Sequence, residues 1–388
     1  MRTIAIITAI TGTAFPSFAQ VLPPPPVLTH GPASSSPALI LLDPVAETTC
    51  GDTPIQPAYR EDLPPVSASE GPEGPQTSVF RFAVAADGRT RDIRPDGTGG
   101  SSYNYANASR GVAVQANLAA WRFDGGARSD CRLTVTYHST RIEEASPSLL
   151  MRYYAVTRDR GPLRDAAARR LSGPTGNCMR PDRPRRRPQT TSHPDFELGQ
   201  RPPPGGYAWT VVRWNVDAAG RYTDIETLGS SGDAVFDAEA RRAMGDSRLH
   251  PGPPATGCVY NFYRAGPNLP APPIPPKEER EDPLQQCPDA IAARLSPVRE
   301  LPYPPAFRAR GIEGWALVRF DIASWGQIGN VAVLEAQPAA VFGEAAQSIV
   351  SQRRATPGFE GAIRCVQPVH YRMGADLSED PFDETPER

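Results

Sequence analysis

Apolar and polar residues alternate along Phe80-Arg81-Phe82-Ala83-Val84, with Phe80, Phe82 and Val84 on one face and Arg81 and Ala83 on the other. This is the period of a half-buried strand. The order apolar-Arg-aromatic-x-β-branched returns in Val212-Arg213-Trp214-Asn215-Val216 and in Val318-Arg319-Phe320-Asp321-Ile322. Each run leads into a turn closed by Gly88, Gly220 or Gly326, where glycine alone takes a positive φ without steric cost. After three further residues come Asp92-Ile93, Asp224-Ile225 and Asn330-Val331, which begin a returning strand. The pattern predicts one hairpin in three copies.

Beyond each hairpin the apolar spacing becomes helical, over 106–121, 236–244 and 342–350, as in Val112, Leu118 and Trp121 or Phe342, Ala345 and Ile349. Each copy then closes on a cysteine and a β-rich run ending in tyrosine, at 131–137, 258–263 and 365–371. The predicted fold is α+β, with three tandem β-β-α-β units in which a three-stranded antiparallel sheet is covered on one face by a helix. Pro368 assigns the last strand of the third unit to an edge or a bulge, because proline donates nothing to a ladder. An open edge accepts an added strand, so Val366, Gln367, Val369 and Tyr371 are the candidate peptide-binding residues.

Residues 1–19 read as a cleavable export signal: Arg2 precedes an apolar stretch, and Ser17-Phe18-Ala19 is a small-x-small cleavage site. An exported chain meets an oxidising compartment, where an even number of cysteines reads as disulfides. Cys50 and Cys131 are 81 residues apart, Cys178 and Cys258 80, and Cys287 and Cys365 78, a pairing that gives three loops of nearly equal length. Closing a loop of this size stabilises a domain by roughly 4 kcal/mol in the chain-entropy model.

At the level of these motifs the chain resembles the C-terminal domain of TonB, the periplasmic energy transducer. The third unit carries the resemblance best, with Tyr303-Pro304, Ala306, Gly311-Ile312-Glu313-Gly314, Leu317 to Ile322 and Gly326 in the family's order. The second unit adds Gly229-Ser230-Ser231-Gly232 and Phe236-Asp237, and the first adds Trp121-Arg122-Phe123. The second and third units depart from that last signature, with Ser247-Arg248-Leu249 and Arg353-Arg354-Ala355, and residues 1–19 do not match the family's membrane anchor. The resemblance implies a periplasmic binding protein whose ligands are extended segments of envelope proteins, outer-membrane receptors among them. It also implies dimers formed by strand exchange.

The divisions expected are a signal at 1–19, a proline-rich segment at 20–45, the first unit at 46–140 and a helical connector at 141–172. The second unit follows at 173–265, a proline-rich linker at 266–282, the third unit at 283–374 and an acidic, disordered tail at 375–388. The proline-rich stretches 23–37, 181–204 and 267–276 read as semi-rigid spacers. The cluster Arg180, Arg183, Arg185, Arg186 and Arg187 is either a solvated linker or a patch for an anionic surface such as cell-wall phosphate. With 41 Lys+Arg against 43 Asp+Glu, the chain lacks the positive excess of a nucleic-acid binder.

Catalytic signatures are missing from the sequence. The five histidines, His30, His138, His193, His250 and His370, show no metal-ligand spacing, no nucleophile elbow or phosphate loop is present, and the disulfide pairing leaves no free thiol. No cofactor, metal or enzymatic activity is expected. The reading is an exported adaptor that binds peptides by strand addition, and the alternative is an envelope scaffold holding peptidoglycan or another envelope protein.

Overall fold

The computed structural model describes residues 39–68, 75–97, 105–157, 161–180, 182, 186–280, 283–288, 291–298, 301–356 and 360–374. The expected export signal, most of the proline-rich start and the expected disordered tail lie outside the described residues, as do Arg183 and Arg185. Among the described residues, no helix is long and apolar enough to cross a membrane.

From Leu42 to Thr48 every second residue is buried and Val45 and Glu47 are exposed, the side-chain alternation of a strand. This strand, β1 (Ile40–Cys50), extends back across the boundary at residue 45 that composition suggests. Short strands β2 (Thr53–Pro54) and β3 (Val66–Ala68) pair with its two ends. The first hairpin, β4 (Gln76–Val84) and β5 (Thr90–Pro95), is followed by α1 (Tyr105–Ala120) and β6 (Arg128–Arg141). The sheet runs β2-β1-β6-β4-β5, and β1 is antiparallel to β6 along its whole length, from Ile40 opposite Arg141 to Cys50 opposite Cys131.

Helices α2 (Pro147–Val156) and α3 (Pro162–Leu171) form the connector. Ser146 caps α2 by accepting the Leu149 N–H, and Pro147 sits in the first turn, where a missing donor costs nothing. A small ribbon joins β7 (Pro188–Thr190) to a later strand, β10 (Arg248–Leu249). Between them lie β8 (Tyr207–Val216), β9 (Tyr222–Ser230) and α4 (Ala234–Asp246), with β11 (Ala255–Ala265) closing a sheet of order β11-β8-β9. One face packs Ala208, Val212 and Phe262 against Phe236, Ala240 and Met244 of α4. The opposite face packs Val211 and Val259 against Leu150, Tyr153 and Tyr154 of the connector, so this sheet is covered on both sides.

The last region contains the short helices α5 (Lys277–Arg280) and α6 (Pro305–Arg308), then β12 (Gly314–Ile322), β13 (Ile328–Gln337), α7 (Ala340–Gln352) and β14 (Ala362–Tyr371). Its sheet runs β13-β12-β14. Phe307, Phe342, Tyr371 and Tyr303 meet edge to face, with centroid separations of 4.8 to 6.1 Å. All three expected disulfides are formed.

Local backbone geometry recurs at matching places. Gly88, Gly220 and Gly326 have φ of 79°, 88° and 85°. A Cβ on Gly88 would lie 2.3 Å from the Phe123 carbonyl oxygen, and one on Gly220 1.9 Å from that of Leu249, so close approach demands glycine as much as conformation does. Asp92, Asp224 and Asn330, at φ 54°, 51° and 50°, stand beside register shifts on the central strands. Short polar side chains tolerate this left-handed geometry better than others.

The matching positions exchange chemistry. Asn215 donates through Nδ2 to Asp224 at 2.8 Å and accepts the Gly257 N–H at 2.9 Å. In the third sheet the acid and amide swap strands: Asn330 donates to Asp321 at 2.6 Å, and Asp321 accepts the Arg364 N–H at 2.7 Å. The first sheet has Ala83 at the central position, so Asp92 reaches instead to Gln337, accepting from its Nε2 at 2.6 Å and donating from its own N–H at 3.2 Å.

The first and third sheets are held together by one apolar core that runs from Phe80, Phe82 and Trp121 to Phe307, Phe320 and Phe342. A buried ionic centre also joins them. The Arg310 guanidinium donates to Glu61 at 2.7 Å, to the Gly205 carbonyl at 2.8 Å and to Asn117, and lies 4.5 Å from the centroid of the Tyr207 ring. The other Glu61 oxygen accepts the Tyr59 hydroxyl and the Tyr207 N–H, both at 2.6 Å. Burial first, and the adjacent Glu61 carboxylate second, push the Tyr59 hydroxyl far above its ordinary pKa, so it remains a donor.

Candidate peptide-binding edges

In each of the three sheets the first hairpin strand lies between its hairpin partner and the strand that follows the helix. The outer side of that last strand is where an extra strand can add. In the first sheet this position is filled by β1. In the second, the Thr256 carbonyl accepts the Asn177 and Cys178 N–H groups, both at 3.0 Å, and the Val259 carbonyl accepts the Tyr154 hydroxyl at 3.2 Å. In the third, Gln286 bridges Ile363 at the start of β14, and no described strand pairs with the outer side of Val366 to Tyr371.

The four candidate residues sit on β14 in two ways. Gln367, Val369 and Tyr371 are buried, and Val369 and Tyr371 belong to the core with Cys365. Val366 is half-buried on the opposite face, with Pro368 and His370. Pro368 stands opposite Leu317 of β12. A proline fits this ladder only where its nitrogen faces away from the partner strand, so the outward backbone groups are those of Val366, Pro368 and His370. The edge thus lacks one donor at its midpoint, a feature that blunts casual pairing.

The start of β14 is set by Asp321. The Arg364 N–H, and next the Asn330 side chain, hold its carboxyl below the ordinary value for aspartate. A depressed carboxylate contributes stability above its unfolded pKa and loses it as pH falls through the folded one. Acidification below about pH 4 is therefore expected to loosen the Arg364 contact. In an NMR titration the Arg364 amide shift should follow the Asp321 carboxyl, and Asp321→Asn should abolish that response; an unchanged response in the variant would refute the assignment.

The arginine cluster is divided by the fold. Arg186 donates to the carbonyls of His250, Asp217 and Pro253 and so clips its segment to the second sheet. Arg180 and Arg187 are exposed. A separate cleft of about 470 Å³ is lined by Arg60, Asp62, Arg152, Arg201, Trp209 and Ser231, among others. Its charges largely pair with acids, Arg152 with Asp43 and Asp62, and Arg201 with Glu197. Among the described residues, no three His, Cys, Asp or Glu side chains come together as a metal site.

Sequence reading does not single out β1. The signal available was Cys50: a disulfide to the first residues of a closing strand places the residues before Cys50 alongside that strand.

Comparison with curated proteins returned no match. Residues 299–373, which include α6, β12, β13, α7 and β14, match the family model of the Gram-negative bacterial TonB protein C-terminal domain.

Proposed function

We propose that this chain is an envelope adaptor of TonB C-terminal type, made of three copies of one β-β-α-β unit, that accepts extended peptide segments along β14. The observation that carries this reading is β1 on β6: in the first unit an extended segment occupies the place that, on β14 of the third, no described strand fills. Strand addition gives affinity through the backbone and specificity through alternate side chains. The shared strand order, the recurring left-handed residues and the exchanged Asn–Asp pairs support descent of the three units from one pattern. Three disulfides suit an oxidising, periplasmic setting. Envelope proteins, outer-membrane receptors among them, are the ligands that the family match suggests.

The test is affinity capture from solubilised envelope on the immobilised, oxidised full chain, with Val366→Pro as the edge variant. This change removes an outward N–H and leaves the inward ladder intact. Strand addition predicts that retained envelope proteins fall at least about tenfold in the variant and resist moderate salt, because backbone pairing is not an ion-exchange contact. Retention that ignores Val366→Pro and elutes with salt would replace this reading with a charge-mediated scaffold.

A further inference from the structure

The face of β12 turned away from the core carries Trp315 and Leu317, opposite His370 and Pro368 of β14. Trp315, Leu317 and Pro368 are buried, yet α7 packs on the other face, against the core that contains Ala316, Val318 and Phe320. Across Trp315 runs the proline-rich segment after β11. Leu269 anchors it, donating to the Gly311 carbonyl at 2.8 Å and accepting the Glu313 N–H at 2.9 Å. The Trp315 indole N–H then donates to the Pro272 carbonyl at 2.8 Å.

Beyond Leu269 the exposure repeats every third residue. Pro270, Pro273 and Pro276 are exposed, and Ala271, Pro272, Ile274 and Pro275 between them are half-buried. A period of three belongs to a polyproline II helix lying with one side on a surface, and differs from the periods of a strand or an α-helix. The segment expected to be a semi-rigid spacer is fastened to the third region at Leu269 and Pro272. An indole N–H aimed at a proline carbonyl, on an apolar face, is how aromatic-lined grooves take proline-rich peptides.

We propose that the Trp315 face of the third sheet is a polyproline-binding groove for proline-rich segments of other envelope proteins, with 269–276 as its resident occupant in cis. From Pro270 to Pro276 the occupant is held by two side-chain hydrogen bonds, Trp315 to Pro272 and Arg89 to Pro270 at 3.4 Å. A polyproline helix is already ordered when free, so exchange for a second one of the same kind costs little conformational entropy. The tether's effective concentration is what keeps the groove filled in cis. This site lies on the face of β12 and β14 and does not depend on strand addition at the β14 edge.

The probe is a fluorescein-labelled peptide Leu-Pro-Ala-Pro-Pro-Ile-Pro-Pro, titrated by polarisation against the oxidised full chain. Replacing the resident prolines, Pro272→Gly with Pro275→Gly, is expected to tighten peptide binding at least about tenfold by vacating the groove. Adding Trp315→Phe, which removes the donor and keeps an aromatic ring, should return that gain. Equal affinity in the wild type and the Pro272→Gly/Pro275→Gly chain, or no response to Trp315→Phe, would overturn the proposal. Should the variants misfold, the wild-type chain still answers: the Trp315 indole N–H resonance must shift on adding the peptide, and a silent indole refutes exchange. A gain seen only after deleting residues 20–37 would assign the groove to the chain's own N-terminal prolines and exclude partners in trans.

Discussion

Arg310→Ala is expected to lower the stability of the whole described assembly by about 3–5 kcal/mol, the cost of leaving one partner of a buried ion pair uncompensated. Glu61 and Arg310 are each only 7% exposed at the side chain, so water cannot replace the lost guanidinium. The change also removes the bonds to Gly205 and Asn117 and the contact with the Tyr207 ring. Because the centre draws on Tyr59, Glu61 and Asn117 of the first region, Gly205 and Tyr207 of the second and Arg310 of the third, its loss should separate the unfolding of the three. Urea denaturation followed by circular dichroism should show a broadened or stepped transition. The paired change Glu61→Gln with Arg310→Met should recover much of the loss, since no charge is then left buried alone. A shift below about 1 kcal/mol for Arg310→Ala would mean that the pair behaves as a hydrated surface bridge.

Removing β1 should have an effect at least as large. A chain that starts at Gly51, with Cys131→Ser to avoid a stray thiol, forfeits the eleven-residue ladder on β6. It also loses buried Ile40, Leu41 and Leu42. At about 1.5–3 kcal/mol for each fully buried aliphatic side chain, these three contribute on the order of 5–9 kcal/mol. The disulfide adds roughly 4 kcal/mol, and the sum rivals the entire stability of a typical domain. The truncated chain is expected to lose the near-ultraviolet signal of packed aromatics in the first unit. A synthetic peptide of residues 38–49, added in trans, should restore it. A truncated chain that folds unaided would show that β1 only decorates an already complete sheet.

The hairpins, their glycines and the closing strands were legible because alternate residues such as Phe80, Phe82 and Val84 are apolar along one face, a period that survives even where the second face is covered as well. β1 escaped for the opposite reason. Ile40 and Leu42 enter the core shared with the first and third sheets, whereas Leu41 enters the core under the connector helices. Leu39 to Leu42 form an unbroken apolar run, and the two-residue signal is lost next to a proline-rich stretch. The ionic centre leaves even less trace, since Glu61 and Arg310 are 249 residues apart and lie outside regular elements. The proline-rich segment 267–276 gave no sign in sequence of its hydrogen bond to Trp315, because a spacer and a surface-bound proline-rich segment share one composition. The β14 edge is a property of backbone groups. Side-chain type identified its strand through Pro368, but the outward positions follow only from the register with β12.

The position of Cys50 decides how the molecule answers a pull. Tension between the residues before Ile40 and those after Arg141 acts on one end of the antiparallel β1–β6 ladder and meets it pair by pair, so the strand peels like a zip rather than shearing all at once. Peeling stops at Cys50, where the disulfide passes the load covalently into Cys131 and the middle of the first sheet. The slack released before that stop is about 35 Å, eleven residues at full extension. The first unit is therefore fitted with a strand that yields over a fixed travel and then holds.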